Sequence, residues 1–183
     1  MAGAVLMLCV ATAMVSPAQV SPAQTFTSLA SFDGGNGGDP QYMSLVQGPD
    51  GSLYGTTTYG GVISCEPKLG CGVVFKVTTE GKLTVTHRFE YTQSVEEGIR
   101  PFAGLLLAPD GNFYGTTTNG GQDVAGTVFK ITQGGTVTTL YSFCPQGLPC
   151  TSGGSPYGGL VQTSDGNFYG TTAWGGNQHS LLP

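Results

Sequence analysis

Charge is scarce in this chain: only 9% of its 183 residues are Asp, Glu, Lys or Arg, against the roughly 25% of an ordinary soluble domain. Basic residues are the scarcest, 6 Lys and Arg against 11 Asp and Glu for a net charge of −5. Their scatter leaves no electrostatic footprint for nucleic acid or an anionic membrane surface. There are only two histidines, His87 and His179. No Ser/His/Asp, paired-carboxylate or His-rich metal spacing emerges, so neither a catalytic set nor a cofactor or metal is implied. Helix-forming stretches are lacking as well, because 31 Gly and 11 Pro would break most helices and exclude a helical bundle. What is present argues against disorder: 39% hydrophobic residues, with 9 Phe, 8 Tyr and 1 Trp, in a chain too poor in charge for a disordered one. Many short strands joined by tight turns is the surviving class.

The segment from Ala2 to Val15 is apolar and uncharged, and is followed by Ser16-Pro17-Ala18 and Ser21-Pro22-Ala23. It is too short to span a bilayer comfortably, and it predicts a secretory signal peptide over 1–23. Cleavage after Ala23 is preferred to cleavage after Ala18, since a strand-like segment begins at Thr25. The competing reading is a buried N-terminal strand or helix. A secreted or cell-surface location follows from the leader, with no membrane span in the mature chain 24–183. Cleavage would remove Cys9 and leave Cys65, Cys71, Cys144 and Cys150, two pairs with the same six-residue offset. An even count in an exported chain points to disulfides, and the turn-rich loops within each pair favour two local staples, Cys65 with Cys71 and Cys144 with Cys150. A four-cysteine zinc site is the alternative, although it normally uses tighter gaps.

The strongest signal is internal. Asp50-Gly-Ser-Leu-Tyr-Gly-Thr-Thr57 recurs as Asp110-Gly-Asn-Phe-Tyr-Gly-Thr-Thr117 and as Asp165-Gly-Asn-Phe-Tyr-Gly-Thr-Thr172. Each copy runs into a Gly-Gly pair. Two copies of a second block follow, Gly72-Val-Val-Phe-Lys-Val-Thr78 and Gly126-Thr-Val-Phe-Lys-Ile-Thr132, and then a third block, Leu83 to Phe89 and Val137 to Phe143. Physically, one unit is a meander of four short strands. In the second copy these are Pro101–Leu107, Phe113–Thr118, Thr127–Thr132 and Thr136–Phe143, with Asp110-Gly111 as a two-residue hairpin turn. Four antiparallel strands in about 55 residues is the size of a propeller blade. The fold class is therefore all-β, with blades over about 40–90 and 100–143 and an incomplete one over 156–176. A β-solenoid or sandwich is the alternative. Ser44, Gly104 and Gly159, small and equivalent, suit crowding near a central axis. Residues 26–32 match the fourth-strand block and are expected to close a ring by pairing with the last blade. The chain is then a fragment of a longer array, or a protomer that completes its third unit by self-association.

In order, Pro-x-x-Gly-Leu, Asp-Gly-Asn-Phe-Tyr-Gly-Thr-Thr, Gly-Gly, Gly-Thr-Val-Phe-Lys-Ile-Thr and Leu-Tyr-Ser-Phe resemble the GloVer tandem repeat of bacterial exported proteins, over roughly residues 26 to 176. The resemblance implies an extracellular or surface-associated β-propeller-like array, often joined to an anchoring region, with no established biochemical activity. Ending mid-repeat and lacking an anchor segment are departures from that pattern.

Candidate ligand-binding residues are the repeated Tyr54, Tyr114 and Tyr169 with Thr57, Thr117 and Thr172, whose rings and hydroxyls could be offered to an extracellular glycan or protein. The competing explanation is packing, because Tyr and Thr favour strands and Gly permits close backbone approach. Asp50, Asp110 and Asp165 suit turns without any metal, and Lys76 and Lys130 read as snorkelling strand lysines. Glu96, Glu97 and Arg100 read as solvated loop charges. The functional expectation is a non-enzymatic, exported binding or structural module. The alternative is part of a propeller enzyme acting on carbohydrate or a lactone, with its catalytic residues in blades outside this chain.

Overall fold

The computed structural model describes the backbone of residues 5–9 and, in full, residues 25–65, 69–91, 97–147 and 150–176. Among these there is no helix, and thirteen strands follow in order: β1 (Val5–Cys9), β2 (Phe26–Ser31), β3 (Val46–Gln47), β4 (Leu53–Thr57), β5 (Val73–Val77), β6 (Leu83–Arg88), β7 (Gly98–Pro101), β8 (Leu106–Leu107), β9 (Phe113–Gly120), β10 (Thr127–Ile131), β11 (Val137–Ser142), β12 (Val161–Gln162) and β13 (Phe168–Tyr169). Strands β3 to β6 form one antiparallel sheet. β11, β10, β9 and β7 form a second, with β8 also on β9, while β12–β13 and β1–β2 are two-stranded, and none of the sheets closes.

Turn chemistry sets this pattern, and it differs from the expected two-residue reversal. Ala108 N–H donates to Asn112 O at 3.0 Å and Gly111 N–H donates to Ala108 O at 3.0 Å, leaving three residues, Pro109-Asp110-Gly111, in the loop. Proline presets the first of them, and Asp110 Oδ1 accepts from Asn112 N–H at 3.0 Å. Gly111 then takes φ +76°, the left-handed place that ends a three-residue hairpin with a bulge. The same pair of backbone bonds closes the loops ending at Gly51, Gly81, Gly135 and Gly166.

The first strand of a unit is also broken where one strand was expected. In the second unit, β7 pairs with the far end of β9 and β8 with its near end. Between them the chain leaves the sheet to meet the first unit. There Ala103 O accepts from Thr56 Oγ1 at 2.9 Å, and a Cβ on Gly104 would lie 2.6 Å from Ser44 O. First strands of neighbouring units thus crowd together, as the small residues predict.

The core lies between consecutive sheets. Val73, Phe75 and Val77 of β5 join Phe32, Leu29, Leu45 and Leu83 in one cluster. Val74, from the opposite face of the same strand, joins Tyr54, Phe89, Leu105, Phe113, Phe129 and Ile131 in the next. A strand buried on both faces needs a continuous apolar run, which is why the Val-Val-Phe-Lys-Val block does not alternate cleanly. The joints repeat: Phe32 meets Phe75 edge-on at 5.0 Å and Phe89 meets Phe129 edge-on at 5.4 Å.

Both expected cysteine pairs are bonded, Cys65 to Cys71 and Cys144 to Cys150, with Cα separations of 5.2 and 5.0 Å. Residues 26–32 do not pair with the last unit. Instead β2 pairs with β1, which lies inside the segment read as a leader and offers β2 an apolar strand edge. The rest of the expected signal peptide, including both cleavage positions, lies outside the described residues.

Candidate functional site

The Asp-Gly-Asn-Phe-Tyr-Gly-Thr-Thr block sits at the joint between units. Tyr54 is 1% exposed, and its ring stacks on Phe113 of the next unit at 4.3 Å. Its hydroxyl donates to Asp50 Oδ2 at 3.0 Å. Burial, with that bond to a carboxylate, pushes the phenol up to about 12. Burial alone would raise Asp50, but hydrogen bonds from the Ser52 backbone N–H and the Tyr54 hydroxyl, with the Lys76 charge, hold it below the ordinary carboxylate value. Lys76 Nζ lies 3.5 Å from Asp50 Oδ2. The second unit repeats the set. Tyr114 stacks on Phe168 at 4.3 Å and donates to Asp110 Oδ2 at 2.9 Å. Burial raises its phenol, while the Asn112 side-chain amide leads the hydrogen bonds that lower Asp110.

The threonines follow suit. Thr57 and Thr117 are fully buried. Thr57 Oγ1 donates to Tyr59 O at 2.7 Å, and Thr117 Oγ1 shares a 2.8 Å hydrogen bond with Thr127 Oγ1 while accepting from Thr127 N–H at 3.0 Å. Of the six residues singled out by sequence, Tyr54, Tyr114, Thr57 and Thr117 therefore have their polar groups satisfied inside the fold. Only Tyr169 and Thr172 are exposed. Their equivalents are buried under a following unit, so the same sequence block changes environment with its place in the array.

A different set of side chains reaches solvent together. Tyr42, Phe102 and Tyr157 occupy equivalent places three residues before Leu45, Leu105 and Leu160, with Phe102 directly after Pro101, Tyr157 directly after Pro156 and Tyr42 two residues after Pro40. Tyr42 lies flat against Phe102, centroids 5.0 Å apart and planes 13° apart, and Phe102 meets Tyr157 edge to face at 4.9 Å. The outer two rings are 76% and 52% exposed. Three aromatic rings from three successive units thus form one continuous row beside the crowded first strands. Tyr42 is held at φ +62°, a left-handed conformation costly for an aromatic residue and one that persists only where its surroundings fix it. The signal was present in the repeat as an aromatic ring three residues before each first-strand leucine, a position that Pro-x-x-Gly-Leu leaves blank.

The fold also joins two residues that sequence reading left apart. His87 Nε2 lies 2.5 Å from Glu97 Oε1, at a place taken by Tyr141 in the second unit. Glu97 is therefore not the free loop charge it was expected to be. Among the described residues no three His, Cys, Asp or Glu side chains gather to hold a metal.

A family model described as Gloeobacter/Verrucomicrobia repeat matches residues 19–180. No curated protein matches the sequence. Among solved structures, the chain is similar to the crystal structure of selenomethionine-substituted virginiamycin B lyase from Staphylococcus aureus, at 15% identity and a TM-score of 0.43. The likeness covers 70% of this chain and 33% of that one, so the chain spans about a third of that protein's length.

Proposed function

Because this chain belongs to the Gloeobacter/Verrucomicrobia repeat family, we propose that it is an exported, non-enzymatic repeat module with β-propeller-type units, which binds neutral polysaccharide at the cell exterior. One observation carries this reading: the chemistry of the repeated block is consumed in joining units, whereas the Tyr42–Phe102–Tyr157 row is open and continuous across three of them. Ring faces carry partial negative charge, so they attract the polarised C–H faces of sugar rings. A row of them suits an extended chain of sugars better than a single small ligand. Neutral polysaccharide is favoured because the protein carries −5 and no basic patch to attract uronic acids or sulfated sugars. The two disulfides accord with an oxidising compartment.

The test is retention of the purified chain on cellulose, chitin, xylan and pectin, compared with the Tyr42→Ala/Tyr157→Ala double variant. Two open rings at about 0.5–1.5 kcal/mol each correspond to a loss of about fivefold to a hundredfold in affinity. Retention on at least one neutral polymer, lost in the double variant, is the expected result. Binding to none, or binding indifferent to the substitutions, would overturn the reading.

A further inference from the structure

Two rings of the aromatic row follow residues held in an unusual conformation. Arg100, just before Pro101 and Phe102, takes φ +59°, and Ser155, just before Pro156 and Tyr157, takes φ +49°. A residue before proline favours extended backbone, so a left-handed one persists only where its surroundings fix it. The fixing contacts are the same at both joints. Arg100 N–H donates to Cys71 O at 2.8 Å, and Ser155 N–H donates to Ala125 O at 2.7 Å. The prolines seat on the glycines that follow these acceptors: a Cβ on Gly72 would lie 2.7 Å from Pro101 Cδ, and one on Gly126 would lie 2.8 Å from Pro156 Cδ. Cys71 and Ala125 hold equivalent places, each before the glycine that opens a Val-Phe-Lys block. One loop residue of a unit thus places the ring of the next.

Each acceptor is set by a disulfide. Cys71 is itself bonded to Cys65 and is fully buried. It ends a long loop, residues 62–71 where the second unit has only 122–125, and the bond removes freedom that the extra length brings. The same loop holds the linker towards Phe102 at a second point, where Tyr91 N–H donates to Ser64 Oγ at 3.1 Å. At the next joint Ala125 packs against the buried Cys144–Cys150 bond. That bond lies in the linker towards Tyr157, which it grips through Cys144 N–H donating to Ser152 Oγ at 2.9 Å. We infer that the two disulfides position the aromatic row, so that Phe102 and Tyr157 are aligned only in the oxidised protein and reduction releases the bound polysaccharide. In that step a dithiol gives two electrons and two protons to each S–S bond, which becomes two thiols, and the dithiol closes to a cyclic disulfide. The loss of alignment follows from the geometry; the loss of binding rests on the polysaccharide reading above.

The experiment compares the oxidised protein, the protein reduced by dithiothreitol with reduction verified by intact mass after alkylation, and the variants Cys65→Ala/Cys71→Ala and Cys144→Ala/Cys150→Ala. Alanine already stands at the place of Cys71 in the second unit, so the change suits its packing. Proton NMR reads the ring-to-ring cross-peaks Tyr42–Phe102 and Phe102–Tyr157, with Tyr54–Phe113, stacked at 4.3 Å inside a joint, as reference. Retention on neutral polymers is measured alongside. Phe102 is shared by both contacts of the row, so Cys65→Ala/Cys71→Ala and the reduced protein should lose both cross-peaks. Cys144→Ala/Cys150→Ala should lose Phe102–Tyr157 alone, and all should keep Tyr54–Phe113. Affinity should fall about fivefold or more on reduction, as when the two open rings are removed, and return on reoxidation. Row cross-peaks that survive reduction would overturn the inference, as would their loss together with Tyr54–Phe113, which marks general unfolding. Oxidised protein that binds no neutral polymer would overturn the polysaccharide reading, and the cross-peaks would still decide the positioning role.

Discussion

Replacing Tyr54 by Phe isolates one joint of the repeat. The ring and its 4.3 Å stack on Phe113 remain, Asp50 keeps its bond from Ser52 N–H at 3.1 Å, and only the phenol bond to Asp50 Oδ2 is lost. A hydrogen bond to a charged partner is worth about 1.5–3 kcal/mol when buried, so Tyr54→Phe should cost about 2 kcal/mol. In a protein of this size that lowers Tm by roughly 4–8 °C. The pH dependence follows from the two groups. Tyr54's value in the folded protein is raised to about 12, so its contribution is complete below the unfolded phenol value and is lost as pH rises from about 10 towards 12. Asp50 is lowered, so its contribution is present above the ordinary carboxylate value and is lost as pH falls through its folded value. The wild-type and Tyr54→Phe proteins should therefore differ most near pH 7 and converge at both extremes. Urea melts at pH 7 and above pH 10, with Tyr114 unchanged in both, measure this. Coincident melts at pH 7, or a gap that widens at high pH, would refute the reasoning.

Adjacent glycines in one turn should respond oppositely. A Cβ on Gly134 finds only Thr132 Oγ1 at 3.8 Å, whereas Gly135 sits at φ +91° against the Thr86 carbonyl. Thermal melts should then show Gly134→Ala neutral or stabilising by up to about 1 kcal/mol and Gly135→Ala destabilising by more than that. Thr56→Val keeps shape but removes the 2.9 Å donation to Ala103 O, and should cost about 1 kcal/mol in urea unfolding. Removing the Cys144–Cys150 bond as a double alanine variant opens a loop of sequence separation six, worth about 2 kcal/mol in chain entropy. Intact mass with alkylation before and after reduction should add the four bonded thiols only after reduction, and four thiols labelled without reductant would contradict the pairing.

Much of the fold was legible in the sequence because turn chemistry and strand chemistry repeat together. Asp-Gly two residues before Leu-Tyr or Phe-Tyr marks the first reversal of each unit, and Val-Phe-Lys marks the doubly buried strand. What misled was environment. Tyr54, Tyr114 and Tyr169 share one motif, yet two are buried by a following unit and one is not, and no local pattern encodes that neighbour. The three-residue loop was missed because Asp110-Gly111 alone was read as the reversal, without Pro109, whose ring presets its first position. Val5-Leu6-Met7-Leu8-Cys9 resembles a leader in composition, and its pairing with β2 is a long-range contact that no local pattern announces. The aromatic row varies in residue type, Tyr, Phe and Tyr, whereas the most repetitive block is repeated because it packs the joints.

The account's central claim is that the repeated block builds the joints while the Tyr42–Phe102–Tyr157 row faces a partner. Measuring Tm and polysaccharide affinity together for Tyr54→Phe and Tyr157→Ala tests it most directly. The account predicts that Tyr54→Phe lowers Tm by several degrees with affinity unchanged, and that Tyr157→Ala weakens binding with Tm within about a degree of wild type. The reverse pattern, affinity following Tyr54 and stability following Tyr157, would contradict it.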